Sequence, residues 1–169
     1  QAIGSGTGAI AVWENNLRLI EDGRWGSHKM RLYPSQNEPF TIMYDSWKQH
    51  SRQLVDMTPE QARKAASEID AKVLSNRKPP YSLAGGLFDA MEDTGGDMFK
   101  TTNDELRFWK KKFAELEGID IHDAPAVAVA SVAYSVKAGA VKKDEIIMLN
   151  ITGGGEELAK SQQEIFYAK

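Results

Sequence analysis

Ile146-Ile147-Met148-Leu149-Asn150-Ile151, running directly into Thr152-Gly153-Gly154-Gly155, is the stretch on which the reading of this chain turns. A continuous apolar run of this length, with no alternation, is what a strand needs when helices cover both of its faces in a parallel sheet. The glycines then end it at the strand's carboxyl end, where open α/β sheets bind ligands. Upstream, residues 125–138 are rich in alanine and valine and predict a helix that packs closely on a sheet, stopped by Gly139. The short segment 119–121 predicts a strand. Strands alternating with helices of this length give an α/β fold, a mostly parallel sheet flanked by helices.

The remaining helices announce their own boundaries. Ile10, Trp13, Leu17 and Ile20 recur at helical spacing, and Gly23 follows. Thr58-Pro59-Glu60-Gln61 is a helix start: threonine caps free amides, proline takes the first turn and Gln61 closes the capping box. Ala62, Ala65, Ala66, Ile69 and Val73 form its expected buried stripe. Gly85-Gly86 opens a close-packed helix through Leu87, Phe88 and Met91 that reaches Thr94-Gly95-Gly96. Thr102 and Glu105 open another, with Leu106, Trp109, Phe113 and Leu116 toward the core and Gly118 as its stop. Residues 44–54 predict a short helix and residues 156–169 a terminal one. Between Tyr33 and Thr41 two prolines, Pro34 and Pro39, predict a loop in place of helix or central strand.

Composition narrows the function. The chain has 169 residues, 41% of them hydrophobic, and a net charge of −3. It is long enough for one sizeable core, and acidic and basic residues are interleaved, so neither a nucleic-acid nor a membrane partner is expected. Without an 18-residue apolar run or a leader sequence, the expectation is a soluble, cytoplasmic protein. Cysteine is absent and His28, His50 and His122 do not stand at ligand spacing, so no metal centre is expected. The chain opens on Gln1-Ala2-Ile3 and passes at once into a glycine loop, without an initiator methionine or a full strand to aim that loop. A preceding portion of the protein is therefore expected.

Two glycine clusters carry the candidate chemistry. Gly4-Ser5-Gly6-Thr7-Gly8 opens onto a helix and offers backbone amides, two hydroxyls and a helix amino terminus, which suit a phosphate dianion. It lacks the third glycine of the dinucleotide fingerprint and the Gly-Lys-Ser/Thr of a nucleotide P-loop. Thr152, at the end of the apolar run, places a hydroxyl that can donate or accept a hydrogen bond where a ligand ring would lie. Each cluster alone is also compatible with a plain glycine turn. His122-Asp123 reads as a structural or surface pair, and Lys110-Lys111-Lys112 as the solvated face of its helix.

Together the two clusters resemble the cofactor contacts of fold-type-II pyridoxal-phosphate enzymes of the threonine synthase family, with its cysteate synthase branch. Residues 4–14 resemble that family's phosphate loop and following helix, and residues 150–154 its last strand and threonine-glycine turn. Glu117-Gly118-Ile119-Asp120-Ile121 and Ala124-Pro125-Ala126-Val127-Ala128 resemble the family's passage from short strand to small-residue helix. The glutamate-proline-alanine-serine signature is replaced by His122-Asp123-Ala124-Pro125. Ser35-Gln36-Asn37-Glu38-Pro39-Phe40-Thr41 and residues 81–89 resemble the cysteate synthase branch. The resemblance implies pyridoxal 5'-phosphate held by Gly4, Ser5, Gly6, Thr7, Gly8 and Thr152. It further implies replacement of phosphate on an amino acid: phosphoserine with sulfite in cysteate synthases, phosphohomoserine with water in threonine synthases. Gln36 and Asn37 either line the substrate pocket or only form a turn. In such enzymes the Schiff-base lysine lies amino-terminal of the glycine loop, so no catalytic residue is assigned here and the chain alone is expected to be inactive; a homo-oligomer is expected. The reading from another class is a free-standing module that binds a phosphate ligand without covalent chemistry.

Overall fold

The computed structural model describes residues 1–163. The expected terminal helix is present as α7 (Glu156–Gln162), and its remainder, residues 164–169, lies outside the described residues. Preceding it are α1 (Thr7–Asp22), β1 (Ser35–Asn37), α2 (Ile42–Lys48), α3 (Pro59–Glu68), a 3-10 turn (Lys72–Leu74), α4 (Leu87–Thr94), β2 (Phe99–Thr101), α5 (Asn103–Glu117) and α6 (Asp123–Lys137). The fold is α/β, as the sequence predicts.

Local chemistry explains the helix boundaries. Thr58 and Thr102 each accept a hydrogen bond from the backbone N–H three residues on, while Gln61 and Glu105 reach back to the cap amides, so both capping boxes are complete. Gly23, Gly95 and Gly118 end α1, α4 and α5 in the left-handed conformation that glycine adopts without steric cost. The stripes hold in part. Ala65, Ile69 and Leu106 are buried, but Val73 and Leu116 face solvent. Val73 belongs to the 3-10 turn, so the helical period that would have turned it inward has already ended. The helix expected over residues 44–54 is α2, which starts earlier and stops at Lys48.

The sheet corrects two expectations. First, the predicted loop between Pro34 and Pro39 contains a strand. Residues 35–37 pair in parallel with residues 99–101, Ser35 opposite Phe99 and Asn37 opposite Thr101. Ala2 adds a parallel bridge to Ser35 on the other side. The prolines flank the pairing and take no donor from it: Pro34 contributes its carbonyl, which accepts from the Phe99 N–H at 3.0 Å. Second, residues 146–151 do not form a strand. Among the described residues no strand lies alongside them, and Ile146 and Met148 are 99% and 67% exposed. An apolar run becomes a strand only where a neighbouring backbone supplies donors and acceptors. Likewise residues 119–121 contribute a single antiparallel bridge, Ile121 to Gly154.

Successive strand residues face opposite ways, and the hydrogen bonds show helices on both faces. Gln36 accepts at Oε1 from the N–H groups of Met43 and Tyr44 in α2, both at 2.9 Å. Ser35 donates to the Val127 carbonyl of α6 from the other face, at 3.3 Å. One core, containing Ile3, Phe40, Met43, Tyr81, Leu87 and Met91, joins α1, α2 and α4. A second, containing Ala2, Leu74, Leu106, Ile121 and Val127, joins the 3-10 turn, α5 and α6.

Candidate functional site

The parallel register fixes where the glycine loop emerges. Ala2 lies opposite Ser35 and Ser35 opposite Phe99, so the chain at Gly4, the end of β1 and the end of β2 all leave the sheet at its carboxyl edge. This is the edge at which open α/β sheets bind ligands. The loop is pressed against the protein behind it. A Cβ built on Gly4 would stand 2.8 Å from the Val73 carbonyl, and one on Gly6 would stand 2.9 Å from Leu87 Cδ2. Gly6 has φ +80° and is the residue before α1. Glycine is therefore needed here to let the loop lie flat on its support, a constraint that acts from the side away from solvent.

The solvent side carries the hydroxyls. Ser5 Oγ and Thr7 Oγ1 are 2.9 Å apart, and the Thr7 N–H donates to Ser5 Oγ at 3.4 Å. Sixteen-residue α1 begins at Thr7 with no acidic residue in its first turn and no side-chain cap. Two hydroxyls beside an acid-free helix amino terminus fit the phosphate of pyridoxal phosphate in charge and in donor number. The helix is fixed at its side by Trp13, whose Nε1 donates to Asp93 of α4 at 2.8 Å. Lys29 bonds the same carboxylate, and these two donors hold the Asp93 carboxyl below the usual range.

The threonine turn rests on other residues. The His122 N–H donates to the Gly153 carbonyl at 3.1 Å, and the Gly155 N–H to the Asp120 carbonyl at 2.7 Å. The His122 ring would lie 2.8 Å from a Cβ on Gly153, and its Nε2 is 3.0 Å from Glu156 Oε1. His122, expected with Asp123 as a structural or surface pair, braces this turn, while Asp123 pairs not with it but with Lys110 at 2.8 Å and ties α6 to α5. Thr152 is exposed. Residues next to the two glycine clusters share one core: Ala2, Leu74 and Ile121 are buried in one cluster, against which Leu149 packs. Ala2 precedes the first glycine loop, Leu74 lies behind Gly4, Ile121 bridges Gly154, and Leu149 precedes Thr152.

Gln36 and Asn37 are wholly buried on β1. Asn37 donates from Nδ2 to the Thr101 carbonyl and to Asn103 Oδ1, both at 3.0 Å, and accepts from the Ala71 N–H at 3.0 Å. It thereby fastens the strand ends to the 3-10 turn that supports Gly4. Gln36 uses Oε1 on α2, and its Nε2 is buried with no hydrogen-bond partner among the described residues. Asn37→Ala is expected to leave the Ala71 amide and its other partners unsatisfied and to cost roughly 2–4 kcal/mol. Urea denaturation checks this, and a midpoint unchanged from the parent would show that the network contributes nothing. The supporting residues Val73, Leu74 and Leu87 were not legible as site residues, since proximity across 69 to 81 positions leaves no local signal.

No protein-family model matches the chain. It is 47% identical over 167 residues to the cysteate synthase of Methanosarcina mazei, covering 98% of this chain and 40% of that protein. It is 44% identical over 170 residues to the cysteate synthase of Methanocella paludicola, covering 100% of this chain and again 40% of the relative. Among solved structures it resembles a threonine deaminase from T.th. with a TM-score of 0.54 at 11% identity, over 91% of this chain and 47% of the other. That likeness concerns the fold alone. The chain is thus similar to the cysteate synthases over about 40% of their length, on a fold like that of the threonine deaminase.

Proposed function

We propose that this chain is the cofactor-phosphate-binding part of a cysteate synthase, which converts phosphoserine and sulfite into cysteate and phosphate on a route to coenzyme M. Pyridoxal phosphate, when bound, supplies the electron sink that lets a Cα proton and then a phosphate depart. Ser5, Thr7 and the amides at the start of α1 hold its phosphate. Thr152 would meet its ring, where a neutral hydroxyl would leave the ring nitrogen unprotonated and the sink moderate, favouring controlled replacement over side reactions. Gln36 and Asn37, both wholly buried, tie β1 to α2 and to the 3-10 turn beneath the site and do not reach the substrate. The Schiff-base lysine belongs to a portion of the protein outside this chain, so the chain by itself is inactive. The complete enzyme is cytoplasmic and oligomeric.

The observation that supports this reading most is the shared core beneath the two glycine clusters, together with the carboxyl-edge exit of the first of them. The test is Thr152→Val in the full-length enzyme. Thr152 is exposed, so the fold should be spared, while turnover of phosphoserine with sulfite falls at least about tenfold, equivalent to roughly 1.4 kcal/mol of transition-state stabilisation. The absorbance of the bound cofactor should shift with it. Undiminished turnover and an unchanged spectrum would remove Thr152 from the site. Turnover of phosphohomoserine in place of phosphoserine would redirect the proposal to threonine synthase.

A further inference from the structure

Three consecutive glycines follow Thr152, and glycine leaves the backbone more conformations than any other residue. A hydroxyl carried beside such a turn has a defined direction only if something outside the turn fixes the peptide behind it. Among the described residues, the hydrogen bond nearest to Thr152 along the chain is the one that the His122 N–H donates to the Gly153 carbonyl at 3.1 Å. The Gly155 N–H then donates to the Asp120 carbonyl at 2.7 Å, with Ile121 bridged to Gly154 between them. Residues 153–155 are thus laid antiparallel on residues 120–122, and Thr152 is the first residue beyond the pairing.

The His122 side chain adds a second hold. A Cβ built on Gly153 would stand 2.8 Å from its Nδ1, 3.3 Å from its Cε1 and 3.5 Å from its Cγ, so the imidazole occupies the space that a side chain at 153 would need. Gly153 lies outside the positive-φ region, so this imidazole, and not the backbone conformation, is what a larger residue there would meet. The Nε2 atom is 3.0 Å from Oε1 of Glu156, the first residue of α7. The imidazole therefore spans the turn, from Gly153 at one edge to the residue after Gly155 at the other. The two side chains are 51% and 59% exposed, and an exposed pair of this kind contributes little by charge alone. What the contact supplies is shape: with Gly153 covered and Glu156 held, the peptide after Thr152 has little room to turn over.

Resting on the function proposed above, we infer that His122 is a positioning residue for the reaction: its imidazole fixes the Thr152–Gly153 peptide and thereby the direction of the Thr152 hydroxyl toward the cofactor ring. His122 touches neither cofactor nor substrate in this role and acts only through Thr152. A hydroxyl must meet its partner at the right distance and angle to bond it. Misplacement by about 1 Å costs on the order of a hundredfold in rate, so a looser brace is felt at the cofactor ring without any contact to it.

The experiment compares His122→Ala, His122→Gln and Gly153→Ala with Thr152→Val in the full-length protein loaded with pyridoxal phosphate. His122→Ala removes the imidazole and Gly153→Ala displaces it. Each should lower kcat about five- to tenfold while the KM for phosphoserine stays within about twofold, and each should shift the cofactor absorbance in the direction that Thr152→Val shifts it. His122→Gln, whose amide nitrogen can stand where Nε2 stood, should recover part of the loss. In the Thr152→Val background, His122→Ala should change neither kcat nor the spectrum further, an outcome that a merely structural role would not give. In the protein freed of cofactor, the Gly155 amide should exchange with solvent deuterium at least about tenfold faster in His122→Ala than in the parent. Losses that add in the double variant overturn the inference and leave Thr152 in the site; so do unchanged kcat, absorbance and amide exchange in His122→Ala and Gly153→Ala. A silent Thr152→Val removes Thr152 itself from the site, and the role of His122 falls with it. Should His122→Ala fail to fold, His122→Gln and Gly153→Ala are read against the same outcomes.

Discussion

Gly6→Val in the full-length protein should release pyridoxal phosphate, raising its dissociation constant more than tenfold while the protein remains folded. Two effects coincide at this position. The backbone there has φ +80°, which a β-branched residue adopts only with strain of about 1–3 kcal/mol. The added Cβ would also stand 2.9 Å from Leu87 Cδ2, so either that side chain or the loop must move. The loop is the softer partner, since Leu87 is wholly buried at the start of α4. Loss of cofactor thus comes from displacement of Ser5 and Thr7, not from side-chain atoms intruding on the phosphate itself. Gly23→Val provides the control: its φ is +78° with nothing within 4 Å of an added Cβ, and it lies at the far end of α1. Cofactor absorbance and equilibrium dialysis report the difference. If the Gly6 variant retains cofactor as firmly as the Gly23 variant, the phosphate loop has been misassigned.

The second large effect concerns the sheet. Gly96→Ala should destabilise the protein by more than about 3 kcal/mol, at the severe end for a single substitution. A Cβ at Gly96 would fall 1.8 Å from the Leu32 carbonyl oxygen and 2.9 Å from its nitrogen, and backbone atoms cannot rotate away as a side-chain tip can. The only relief is separation of the two chain segments. Those same segments are joined one residue later, where the Asp97 N–H donates to the Leu32 carbonyl at 3.1 Å and the Phe99 N–H to the Pro34 carbonyl at 3.0 Å. Separation would therefore undo the entry into β1 and β2 and, through Asn37, the support of Gly4. Thermal unfolding followed by circular dichroism measures this; a midpoint within about 2 °C of the parent, which corresponds to about 0.5–1 kcal/mol for a chain of this size, would contradict the close approach.

What the sequence made legible follows the range of the interactions involved. Both capping boxes and the glycine stops of α1, α4 and α5 could be read directly, because a cap is settled by residues three or four positions apart. The segment Ser35-Gln36-Asn37 could not. Three polar residues between prolines have the composition of a turn, and they are buried as a strand only because distant groups satisfy them: the Val127 carbonyl, the α2 amides and the Ala71 amide. Residues 146–151 failed in the opposite sense. Their apolar character is plain, but a strand is a property of two backbones, and the sequence of one of them states only a capacity. For the candidate site, the glycine loop's position before α1 was legible and its reliance on Val73, Leu74 and Leu87 was not.

The exposed run at residues 146–151 has a practical side. A row of open amides and carbonyls bearing isoleucine and methionine is a template on which another extended chain can add, and repeated addition is how ordered aggregates grow. Immediately before it stand Lys142, Lys143, Asp144 and Glu145, charges that act as gatekeepers against such growth.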